Sequence, residues 1–126
     1  TCALPILEGY THGKNFNYVD GMRVPFGPHN SFDAYGQEVY EPYRDRIYTC
    51  YFHAGLRIYD TSDPFMPKEI AYFLPPDPDG PAFDNEDGTL MPGPIVGIAE
   101  DVLVDDRGYI YFDTANDGLY IVKCTV

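Results

Sequence analysis

An all-β fold built from stacked copies of a small antiparallel sheet is what this sequence predicts, and three observations predict it. Two segments match without a gap at an offset of 63, namely 38–60 (EVYEPYRDRIYTCYFHAGLRIYD) and 101–123 (DVLVDDRGYIYFDTANDGLYIVK). They are identical at seven of 23 positions, among them Ile47/Ile110, Tyr48/Tyr111, Gly55/Gly118, Leu56/Leu119 and Ile58/Ile121. Each copy reads as a strand, a charged turn, an aromatic strand, a glycine turn and another strand, a unit that cannot bury both faces of its sheet alone. Twelve Tyr and eight Phe favour pleated, half-buried surfaces, while twelve Gly and twelve Pro interrupt the chain too often for long helices.

Taken in order, residues 1–37 form an irregular lead-in with short strands. Residues 38–74 form one four-stranded unit: an inner strand at 38–40, a turn at 42–46, strands at 47–52 and 56–59 around the Ala54-Gly55 turn, and an outer strand at 68–74. Between them, Asp60-Thr61-Ser62-Asp63-Pro64 is a turn whose Asp and Ser side chains reach nearby backbone N–H groups, and Pro64 and Pro67 forbid helix. Residues 75–97 are a Pro/Asp-rich loop. Residues 98–126 repeat the unit but stop before a fourth strand, which leaves an open ladder that closed radial folds cover with a strand from elsewhere. The expectation is therefore a β-propeller fragment of about two four-stranded blades, completed by another chain.

The run Gly55-Leu56-Arg57-Ile58-Tyr59-Asp60-Thr61-Ser62-Asp63-Pro64-Phe65-Met66-Pro67 resembles the LVIVD repeat of bacterial and archaeal β-propeller proteins, in which it marks the third strand and the exit turn. The second copy keeps Gly118-Leu119-Tyr120-Ile121-Val122 and departs at Lys123, where the family has Asp. The resemblance implies a propeller of several blades with this chain as its C-terminal part. It implies little about activity, because propellers host many unrelated functions.

Eight basic against twenty acidic side chains give a net charge of −12, a field that repels phosphate backbones and excludes nucleic acid as a partner. No apolar run approaches the ~20 residues of a membrane-spanning helix, and no basic leader is present. A secreted or periplasmic location is favoured over a cytoplasmic one. Cys2, Cys50 and Cys124 permit at most one internal disulfide and fit no zinc spacing. The acidic loop at 77–88 lacks the ligand order of an EF-hand.

Thr1 is the sharpest catalytic candidate. A threonine at a chain's own N-terminus can be activated by its α-amine, and such enzymes arise by autoproteolysis of a precursor. The reading is a hydrolase of an amide or related acyl bond in a small-molecule substrate, with a second polypeptide from the same precursor as partner. His29, Asn30 and His12 would orient groups or stabilise the oxyanion. Glu100, Asp101 and His53 are candidate substrate-binding residues, since Glu100 and Asp101 open an inner strand just as Gln37 and Glu38 do. No cofactor is required, although histidines and channel acids allow a divalent metal. The competing classes are a non-catalytic propeller used for cell-surface binding or assembly, and a metal-dependent propeller enzyme.

Overall fold

The computed structural model describes residues 18–19, 22–23, 25–34, 36–42, 45–79, 96–115 and 117–126. Among these the secondary structure is all β, with no helix. A two-residue hairpin pairs β1 (Tyr18–Val19) with β2 (Met22–Arg23). Two three-stranded antiparallel sheets follow. The first joins β3 (Arg46–Cys50), β4 (Leu56–Asp60) and β5 (Lys68–Phe73), and the second joins β6 (Ala99–Val104), β7 (Tyr109–Thr114) and β8 (Gly118–Lys123).

The strands form where the sequence alternates. In the first sheet Tyr48, Ile58 and Ala71 lie opposite one another, as do Cys50, Leu56 and Phe73, and together they make one apolar face. In the second sheet Val102, Phe112 and Tyr120 form one row and Val104, Ile110 and Val122 another. These two faces meet in a single core. Phe73 crosses the boundary, its ring centroid 5.7 Å from that of Phe112 and 5.6 Å from that of Tyr120. Each large apolar side chain buried here contributes about 1.5–3 kcal/mol. Asp60 and Asp63 shape the turn into β5, accepting the Ser62 and Phe65 N–H groups at 2.8 and 3.0 Å.

The stacking has a direction. The apolar face of the first sheet carries Tyr48, Leu56 and Ile58, whose repeat equivalents in the second sheet are Tyr111, Leu119 and Ile121. Those residues do not lie in the core. They line the opposite face of the second sheet, where Leu103, Tyr111 and Ile121 stand in one row. Leu56 and Ile58 are 1% and 3% exposed, but Leu119 and Ile121 are 64% and 57% exposed. One sheet therefore presents one face to its neighbour and receives the neighbour's other face, a head-to-tail contact rather than a mirror-like one.

The structure changes one expectation. Residues 38–40 are not the inner strand of the first sheet; that edge is taken by residues 29–32. His29 N–H donates to the Cys50 carbonyl at 2.8 Å, Cys50 N–H to Asn30 at 2.9 Å and Phe32 N–H to Tyr48 at 3.0 Å. Residues 33–34 and 36–38 instead leave that edge, with Gln37 N–H on Ala34, and 39–41 meets the second sheet, with Glu41 N–H on Val104 and Asp106 N–H on Val39. The physical reason is an insertion. The ladder sets Ser31 opposite Thr49 and Val102 opposite Phe112, so the inner strands correspond at an offset of 71, eight residues from the register that holds over the rest of the repeat.

Candidate functional site

With that register, His29 and Asn30 occupy in the first sheet the positions that Glu100 and Asp101 occupy in the second. Four of the residues singled out in the sequence thus come together along neighbouring inner edges. The joint between them is a bulge in β6: between Ala99 and Val102 the pairing with β7 shifts, so Glu100 and Asp101 together oppose Asp113. A bulge leaves backbone groups without ladder partners, and such sites often re-aim side chains at rims and functional edges.

Three side chains satisfy the orphaned groups. Asp113 Oδ1 accepts the Asp101 N–H at 2.7 Å. His29 Nδ1 lies 2.7 Å from the Glu100 carbonyl oxygen. The Cys50 thiol donates to the Asp101 carbonyl at 3.3 Å. Because a carbonyl oxygen only accepts, His29 must carry its proton on Nδ1, and in the neutral ring the lone pair is then on Nε2. The ring is further fixed by Phe52, at a centroid distance of 4.7 Å. Phe52 itself sits at φ 47°, in the left-handed region that costs an aromatic residue strain, while its carbonyl accepts the Gly55 and Ala99 N–H groups.

Electrostatics sets the reactivity of this edge. Burial pushes the Cys50 thiol up to about 12, and Asp113, Asp101 and Glu100 push in the same direction, so this cysteine is a structural donor and not a thiolate nucleophile. Asn30 supplies its carbonyl to the Cys50 N–H and to the Thr49 hydroxyl, the latter at 3.1 Å. Chemically, the edge offers one imidazole with a defined tautomer beside exposed or half-buried carboxylates. Among the described residues no group of three or more His, Cys, Asp or Glu is arranged to hold a metal ion.

The other expected site residues lie elsewhere. His53 is buried in the β3–β4 turn, its Nδ1 3.0 Å from the Pro25 carbonyl and its ring 5.3 Å from Phe26. Thr1, Cys2 and His12 lie outside the described residues, as does the 84–88 part of the acidic loop. Cys50 and Cys124 are both free thiols. Sequence reasoning missed Asp113 and Phe52. Asp113 carried a signal, since an acid stands where the first copy has Cys50 in an otherwise apolar, aromatic strand; the backbone state of Phe52 carried none. No family model, curated protein or solved structure matches the chain.

Proposed function

We propose that this chain supplies two consecutive blades of an LVIVD-type β-propeller and acts as an assembly and binding module, docking a further sheet of the same repeat carried by a second polypeptide. One observation carries the reading: the face that the first sheet uses to hold the second recurs on the second sheet and is open there. Leu103, Leu119 and Ile121 provide apolar area, and each gains roughly 1 kcal/mol or more when covered. The occupant they fit resembles the face that the first sheet holds, which is that of the second sheet with β-branched and aromatic residues such as Ile110, Phe112 and Val122. Stacking of this kind extends until a ring closes, and the inner edges with His29 and Glu100 then line the central channel, where propeller ligands bind.

A second reading is amide hydrolysis, with Thr1 as nucleophile and His29 as the orienting group. Of that machinery the described residues include only His29 and Asn30, so assembly is the reading the geometry supports best. Sedimentation equilibrium of the 126-residue polypeptide tests it. The bare face should drive association that strengthens with concentration and is lost in Ile121→Glu; a monomer at every concentration, unchanged by that substitution, overturns the reading.

A further inference from the structure

The insertion that displaces the inner strand also builds a cavity. Residues 33–34 and 36–38, together with β3, line a groove of about 740 Å³. That volume is within the range of small-molecule sites, roughly 300–1,000 Å³. None of His29, Asn30, Leu119 and Ile121 lines it.

Its walls are aromatic and its rim is acidic. Phe32, Tyr40 and Tyr48 all line it, with Phe32 at the corner. The Phe32 ring lies 6.1 Å from Tyr40 at an interplanar angle of 82°, and 6.1 Å from Tyr48 at 79°. Phe32 and Tyr40 are half-buried at this corner, and Tyr48, 4% exposed, backs it from the core. Asp33, Glu38, Glu41 and Asp106 line the same groove. Among the described lining residues Arg46 is the one cation, and its guanidinium is engaged by the Val126 carbonyl at 2.9 Å. The groove thus carries an excess of negative charge over apolar walls, in a chain whose net charge is already −12.

These features select a ligand class. An inorganic cation would leave the aromatic walls unused, an anion would meet the carboxylates, and a neutral hydrocarbon would leave the rim charges without a partner. A positively charged head group with a methylated or alkylated surface uses both, through attraction to ring faces and to the acids around them. We propose that this groove binds an organic ammonium head group, held against Phe32 and Tyr40 and neutralised by the surrounding carboxylates. Tyr48 remains a neutral phenol at physiological pH, since burial and its hydrogen bond with Glu41 push it up to about 12.

The test compares choline with 3,3-dimethyl-1-butanol, its neutral isostere, by proton NMR titration of the intact chain, following the ring resonances of Tyr40 and Phe32. Choline should saturate the shifts, with the isostere at least tenfold weaker. Tyr40→Leu should weaken choline binding about threefold to thirtyfold, the range of one cation–π contact. Glu38→Gln, at an exposed position, should weaken it less and reduce its salt dependence. Equal binding of the two compounds, shifts confined to other residues, no saturation by choline, or an unchanged affinity in a folded Tyr40→Leu chain would each overturn the proposal.

Discussion

Arg57 is the residue whose removal should cost the first sheet most. It is the second residue of β4 and has no exposed surface, its Nε donating to the Ala54 carbonyl at 2.8 Å and its Nη1 bonded to Glu69 Oε1 at 3.0 Å. The guanidinium also sits 5.0 Å from the centroid of the Tyr72 ring. Glu69 is only 12% exposed, so an Arg57→Ala chain leaves a shielded carboxylate without its cation and the Ala54 carbonyl without its donor. Breaking a buried pair from one side costs about 3–5 kcal/mol. A domain of this size has about 5–15 kcal/mol of stability in total, so the variant should melt about 10–20 °C lower. Urea unfolding followed by far-UV circular dichroism and tyrosine fluorescence measures this directly, since the chain has no Trp. The pair itself contributes less than its breakage costs. Arg57→Met with Glu69→Leu, which removes both charges and keeps the volume, should return to within about 2 kcal/mol of the parent. A single variant that loses under about 1 kcal/mol, or a double variant as unstable as the single one, refutes the reasoning.

Three further outcomes are expected. Gly55 and Gly118 occupy the same repeat position at φ +75° and +96°, but an added Cβ at Gly55 meets the Phe73 carbonyl oxygen and Pro75, whereas at Gly118 it meets nothing within 4 Å. Gly118→Ala should therefore cost about 1–2 kcal/mol of backbone strain and Gly55→Ala clearly more, and equal midpoints in urea would contradict this. Burial opposes ionisation of Asp105, but hydrogen bonds from Arg107, from the Tyr109 N–H and from the Tyr111 hydroxyl outweigh it and hold the carboxyl at about 2. Its folded pKa is depressed, so its contribution is present above the ordinary value near ~4 and is lost as pH falls toward about 2; Asp105→Asn should flatten acid unfolding in that window, and superimposable profiles would count against it. Native protein at pH 8 should expose the half-buried Cys124 to a thiol reagent while Cys50, fully buried and bonded to Asp101, reacts only on unfolding; modification of Cys50 at the rate of Cys124 would remove its structural role.

The hairpins were legible because the repeat is strongest along their strands and the glycine turn between them. Ile47, Tyr48, Gly55, Leu56 and Ile58 fix strands and turn in both copies, and β3, β4, β7 and β8 follow that register. The inner strand was misread because the sole identity supporting it was Val39/Val102, and those residues play different parts: Val102 is core, while Val39 is exposed in the returning loop. An eight-residue insertion is invisible to a gapless match. Along the inner edge, His29, Asn30, Glu100 and Asp101 could be picked out as strand-entrance residues, but not their alignment with one another, which depends on the bulge. The bulge in turn depends on Asp113 and Cys50, held by long-range contacts that no local pattern encodes. The open second-sheet face was hidden for a related reason: nothing in the repeat distinguishes Leu119 and Ile121 from their buried equivalents Leu56 and Ile58.

The contrast between those equivalents gives the most direct measurement of directional stacking. Leu56→Ala should destabilise the isolated chain by about 2–5 kcal/mol, the range for a leucine that leaves a cavity in a packed core. Leu119→Ala, the same substitution at the same repeat position, should change it by no more than about 0.5 kcal/mol, as on an exposed surface. Comparable losses at the two positions would mean that both faces are covered within one chain, and the account of an open, sheet-accepting surface would be wrong.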